Sequence, residues 1–93
     1  MALLDLLGRR WALRVLWELR DDPSPTFRDL QERCGAVSSS VLADRLRELD
    51  EAAIVTRNDR GYILTPAGAD LLGRLLPLDD WANRWGPSQE GSH

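Results

Sequence analysis

The sequence predicts an α+β domain that is mostly helical, and three observations carry that prediction. Apolar residues recur at helical spacing in segments separated by Pro and Gly. Cap signatures stand where such segments begin, at Thr26, Ser38 and Thr65. Two short β-branched or aromatic runs flank "NDRG", a tight-turn signal.

"ALLDLL" reads as a short apolar turn ending at Gly8, a residue that can stop a helix. "RRWALRVLWELR" predicts a helix with a wide buried face made by Leu13, Leu16, Trp17 and Leu19, with Trp11 and Val15 near the same side. "DDPSP" ends it, because proline forbids continuation. In "TFRDLQERCG" Thr26 and Asp29 have capping-box spacing, Phe27 and Leu30 face inward, and Gly35 closes the helix. Val37 lies in a short turn, and Ser38 then caps the next helix. Along it Leu42, Leu46, Leu49 and Ala53 form a narrow inward stripe. Ser40, Asp44, Arg47 and Glu51 lie opposite, with Ser39 and Ala43 flanking that outer face. "IVTR" and "YIL" make a small two-stranded antiparallel hairpin. Thr65-Pro66 restarts a helix that runs to Trp85, with a kink expected near residues 73–77 because Pro77 takes a donor from the Gly73 carbonyl. Residues 1–86 are expected to form one domain, and residues 87–93, "PSQEGSH", a disordered tail.

With 93 residues the chain suffices for one domain with a thin core, which makes help from a second subunit attractive. No apolar run approaches a membrane span. Asp5 stands where a secretion signal needs basic residues, and the one cysteine, Cys34, has no partner for an intrachain disulfide. A cytoplasmic protein without membrane contact is expected. The net charge of −3 gives no help to nucleic-acid binding from bulk electrostatics. Residues 26–64 carry six basic side chains against seven acidic ones, so phosphate contacts must come from local placement of arginines. The one His is His93, at the end of the tail, and there is no glycine-rich phosphate loop and no metal cluster. Neither an enzyme nor a resident cofactor or metal is expected.

Two helices joined by a tight turn and followed by a hairpin make a winged helix-turn-helix, here with flanking N- and C-terminal helices. In such modules the second helix of the pair enters the major groove with its N-terminal residues foremost. In detail the chain resembles the HxlR-type winged helix-turn-helix transcriptional regulators, relatives of the MarR group, from about Leu4 to Gly86. "LLGRRWALRVLWEL" resembles the family's Leu-Gly-Gly-Lys-Trp segment. Val37, Ser38, Leu42, Arg45, Leu46 and Leu49 occupy its Ile-Ser-x-x-x-Leu-x-x-Arg-Leu-x-x-Leu pattern, and "LTPAGADLLGRLLPLDDWANRWG" resembles its closing helix with an interior proline. The resemblance implies a homodimer that binds double-stranded DNA, pairing through its terminal helices. Leu3, Leu4, Leu7, Leu78, Trp81 and Trp85 are the expected interface. The chain departs from the pattern in several places. Ser39 and Ser40 stand where Pro and a basic residue are common, Ala53 stands at a turn glycine, the wing is only Asn58 to Gly61, and no cysteine lies near the N-terminus, where some members sense electrophiles.

Each candidate contact has a structural alternative. Ser38 is a cap before it is a phosphate ligand, whereas Ser39 and Ser40 are poor helix formers better explained by contact with DNA. Asp44 and Arg47 are placed to abut bases, yet Arg47 can instead pair with Glu51. Arg45 either reaches a phosphate or braces a carboxylate such as Glu48 or Asp29. Arg57 and Arg60 at the wing are phosphate candidates or solvated turn residues. Arg28 opposes the dipole of its own helix, which makes sense beside a phosphate. The four tryptophans read as core and interface, or as a pocket for an aromatic small-molecule effector between Trp11 or Trp17 and the last helix. Cys34 reads as a semi-buried apolar residue. The acidic charge, the serines and the short wing also fit another class of function, a protein–protein adaptor that has lost DNA affinity.

Overall fold

The computed structural model describes residues 2–20 and 23–85. The tail at residues 87–93, including His93, lies outside the described residues. Five helices and one hairpin follow in order: α1 (Ala2–Leu7), α2 (Ala12–Glu18), α3 (Phe27–Cys34), α4 (Ser39–Glu51), β1 (Val55–Arg57), β2 (Tyr62–Leu64) and α5 (Pro66–Trp85).

The starts and stops follow from local chemistry. Thr26 and Asp29 form the reciprocal capping box: the Thr26 hydroxyl accepts from the Asp29 amide at 3.1 Å, and the Thr26 amide donates to Asp29 Oδ2 at 3.0 Å. Gly35 ends α3 at φ 79°, a conformation that favours glycine. The Ser38 hydroxyl accepts from the Val41 amide at 3.2 Å and caps α4. Thr65 Oγ1 accepts from the Gly68 amide at 3.0 Å at the head of α5. Strands β1 and β2 pair antiparallel, with Val55 opposite Leu64, Thr56 opposite Ile63 and Arg57 opposite Tyr62.

Leu16 and Val15 of α2, Leu30 of α3, Leu42 and Leu49 of α4 and Val55 of β1 are fully buried and form the centre of the core. Leu71 and Leu75 bring α5 against it, and Leu72 of the same helix is buried as well. The hairpin is anchored rather than free. The Tyr62 amide donates to the Pro25 carbonyl at 2.8 Å, and Asn58 Nδ2 donates to Ser24 Oγ at 2.8 Å. Gly61 lets the two backbones meet: a Cβ there would lie 2.1 Å from Pro25 O. Gly68 does the same for α5, where a Cβ would come 2.0 Å from Ile54 O.

Four expectations are corrected. The buried face of α2 is Ala12, Val15 and Leu16, with Leu19 at its end, while Leu13 and Trp17 are exposed. The α2 helix begins only after Trp11, which sits at φ 77°. Ala53 is not part of the α4 stripe; it is exposed in the following turn at φ 61°. Leu7 packs in the core instead of lying on the surface. As expected, Pro77 makes no clean break: α5 is helical from Pro66 to Trp85.

Candidate nucleic-acid interface

The α3–α4 pair is held at a fixed angle by polar contacts as well as by the core. Gln31 Nε2 on α3 donates to Ser39 Oγ on α4 at 3.0 Å and approaches the Val37 carbonyl at 3.5 Å. Behind the pair, two arginines reciprocally bind the C-terminal ends of each other's helices. Arg14 Nη2 of α2 donates to the Arg33 carbonyl at 2.9 Å, and Arg33 Nη1 of α3 donates to the Glu18 carbonyl at 3.3 Å. These carbonyls are among the groups a helix leaves without internal donors. Neither contact was legible in sequence, because the partners stand 19 and 15 residues apart.

The outer face of α4 carries Ser39, Ser40, Asp44, Arg47 and Glu51, all exposed, over the buried Leu42, Leu46 and Leu49. Ser40 Oγ lies 3.4 Å from Ser38 Oγ, so the serines form a small hydroxyl cluster at the helix start, with Ser39 holding Gln31. Arg47 is shared between Asp44, at 3.3 Å, and Glu51, at 3.7 Å. Its hydrogen bond to Asp44, helped by the Glu51 charge, pushes its already high pKa further up. This face therefore holds one more acid than base.

Arg45 lies to the side. Its side chain is only 13% exposed and its Nη1 is 2.7 Å from Glu48 Oε1, which Arg9 also approaches at 3.7 Å. Its Nε is buried without a partner. The guanidinium is thus engaged with Glu48, the bracing alternative. Arg57 lies over the Tyr62 ring at 5.1 Å, and Arg60 stands exposed at the wing tip, where its amide donates to Asn58 Oδ1. Arg28 is exposed in the first turn of α3. Among the described residues neither Arg28 nor Arg60 forms an ion pair, so both charges are available to an anion.

Of the expected interface residues, Leu3, Leu4, Leu78, Trp81 and Trp85 are all exposed, and Trp81 and Trp85 stack with centroids 5.6 Å apart. Cys34 is buried, and burial pushes its thiol pKa up, away from the reactive thiolate.

A capped helix pair, an outward polar row on its second helix and an anchored hairpin define a winged helix-turn-helix domain of the regulatory kind. The chain belongs to the HxlR-like helix-turn-helix family, whose model matches residues 6–90, and it is a transcriptional regulator of that family. It is 27% identical over 93 residues to YdzF, an HTH-type transcriptional regulator of Bacillus subtilis strain 168, covering 97% of this chain and 85% of that one. It is 31% identical over 88 residues to YodB of the same organism, covering 87% of this chain and 78% of the relative. The crystal structure of quinone-bound YodB superposes with a TM-score of 0.82 at 32% identity, over 90% of this chain and 94% of that one. Among the described residues no helix is long and apolar enough to cross a membrane.

Proposed function

We propose that this regulator is a single domain over residues 1–86 that binds duplex DNA as a homodimer in the cytoplasm, with α4 in the major groove. The outward row on α4 carries this reading: it is polar and exposed from Ser39 to Glu51, with its serines at the N-terminal end, over a stripe that packing accounts for completely. In this reading Ser39, Ser40, Asp44 and Arg47 meet base edges. Arg28, Arg57 and Arg60 hold phosphates, Ser38 offers its amide end to the backbone, and Arg45 acts mainly by fixing Glu48. Leu3, Leu4, Leu78, Trp81 and Trp85 supply the apolar surface for dimerisation. The quinone-bound state of the YodB relative supports a small-molecule effector for this chain as well.

A mobility shift against the chain's own upstream DNA, with excess nonspecific competitor at two salt concentrations, tests the DNA reading. A discrete complex that survives competitor and weakens steeply with salt is the expected result. Absence of any shift at low salt without competitor sinks it. One observation favours a second reading, the protein–protein adaptor: the acid excess on the α4 face, in a chain of net charge −3, disfavours phosphate approach. Failure of the shift would move that reading to first place.

A further inference from the structure

Two side chains on the outer face of α4 have hydrogen-bond roles that cannot be reversed. An ionised carboxylate such as Asp44 only accepts and the Arg47 guanidinium only donates, whereas a serine hydroxyl does either. They stand in the second and third turns of α4, three residues apart, and are 54% and 57% exposed. Arg47 Nη2 donates to Asp44 Oδ1 at 3.3 Å, which sets a donor and an acceptor side by side on an open face. Asp44 forms no other ion pair or side-chain hydrogen bond among the described residues, so its second oxygen is left to accept from outside.

Folding does not call for this arrangement. An exposed pair of this kind adds little to stability, and Asp is a poor helix former beyond the first turn. General attraction to DNA does not call for it either. With Glu51 the row sets two carboxylates against one guanidinium, and a carboxylate repels phosphates whatever the sequence. On a face that meets a polyanion, a carboxylate is favourable opposite a base amine. In the major groove those amines are cytosine N4 and adenine N6, and guanine O6 and N7 give Arg its bidentate partner. The amine and O6 of one C·G pair are hydrogen-bonded to each other, about 2.9 Å apart. That spacing is close to the 3.3 Å between Asp44 Oδ1 and Arg47 Nη2. An A·T pair matches less well: the adenine amine has the acceptor N7 beside it, facing the carboxylate, and thymine offers Arg a single oxygen.

We propose, on the reading that α4 enters the major groove, that Asp44 and Arg47 act as one unit that reads a C·G base pair in each half-site, the carboxylate accepting from cytosine N4 and the guanidinium donating to guanine O6 and N7. Asp44 is then a specificity-determining residue that lowers affinity for DNA in general. The acid excess of the face becomes a means of rejecting wrong sequences. None of the residues involved belongs to the apolar surface of α1 and α5.

The test is selection of bound duplexes from a random pool by the full chain, by Asp44→Asn and by Asp44→Ala, with sequencing to give the preference at every position. The wild-type chain should enrich a site with a C·G pair in each half, and exchanging that pair for T·A should cost roughly tenfold or more in affinity. Asp44→Asn should keep the rest of the site and turn the cytosine into adenine, because an amide pairs bidentately with adenine N6 and N7. Asp44→Ala should lose the preference at that position and bind random-sequence duplex severalfold more tightly, since a repelling charge is gone. A site enriched identically by all three proteins overturns the proposal and leaves the DNA reading intact. So does a change confined to a position that is not C·G in the wild-type site, or weaker binding of random duplex by Asp44→Ala. No enriched site from any of the three, with no duplex retained, sinks the DNA reading and the proposal with it.

Discussion

Ala53 holds a left-handed backbone at φ 61° where the family pattern places a glycine. The turn keeps its shape because its surroundings demand it. The Ala53 amide donates to the Asp50 carbonyl at 2.9 Å, and the Thr65 hydroxyl reaches the Ala53 carbonyl at 2.6 Å. A left-handed alanine costs roughly 1–2 kcal/mol, partly offset in Gly by its freer unfolded chain. Ala53→Gly should therefore stabilise the fold by about 0.5–1 kcal/mol, raising Tm by several degrees in thermal unfolding. A lowered Tm would show that the methyl group matters more than the strain. Arg47 is a different case: exposed and shared between two carboxylates, it contributes little to folding. Arg47→Ala should leave Tm within about 2 °C and weaken operator binding by tenfold or more. Unchanged binding would remove it from the reading face. Asp29 gives a pH signature. Its bond from the Thr26 amide, then that from the Thr26 hydroxyl, holds its carboxyl below the ordinary value of 3.8. A depressed folded pKa means that the ionised form stabilises the fold. The contribution is present in full above the unfolded value and fades as pH falls through the lower folded one. Asp29→Asn should thus lower Tm at pH 7 and make little difference near pH 2.

The elements were legible wherever one residue type does one job. Thr26, Ser38, Gly35 and Thr65 mark boundaries by chemistry that acts within a few residues, and the structure uses them that way. The α2 face was misread because "WALRVLWEL" is apolar on most of its circumference. At about 100° per residue, Leu13 and Trp17 lie about 100° and 140° from Ala12, on a flank that a small buried alanine gives no reason to discount. The onset at Trp11, with its positive φ, was likewise invisible, since tertiary packing sets it. On the candidate interface the exposed serines and Arg47 were readable from helical phase alone. Gln31, Arg14 and Arg33 were not, because their partners come from other helices. The close approach at Gly68 was equally hidden. A methyl there would meet the Ile54 carbonyl, backbone against backbone, so neither side can yield by changing rotamer. Gly68→Ala should destabilise by about 2–3 kcal/mol in denaturant unfolding, the range of overpacked sites. A loss under about 0.5 kcal/mol would mean that α5 slides freely along the turn after α4.

At the scale of the molecule, α5 outruns the domain that it closes. Its 20 residues span about 30 Å, yet only Gly68 and Leu72 near its start are buried. The second half instead presents Leu78 and the stacked Trp81 and Trp85 to solvent, and α1 adds Leu3 and Leu4. Apolar area of this kind on one small chain is what a two-fold interface would cover, each copy offering the same residues to the other. A dimer would also repair the chain's electrostatic weakness. With no basic excess, one subunit has few phosphate contacts to give, and linking two reading helices makes the second binding step effectively intramolecular. The chain should therefore run in light scattering at twice its 10.5 kDa mass. Trp81→Ser with Trp85→Ser should yield a monomer of unchanged helical content, because neither ring contributes to the core. That monomer should lose operator affinity by on the order of 10²-fold or more, the loss expected when paired half-sites are read singly. If the double variant stays dimeric, the aromatic stack is not the seam. If it becomes monomeric and binds the operator as tightly as before, the two reading helices do not act together, and the α4 row of a single subunit must carry the recognition.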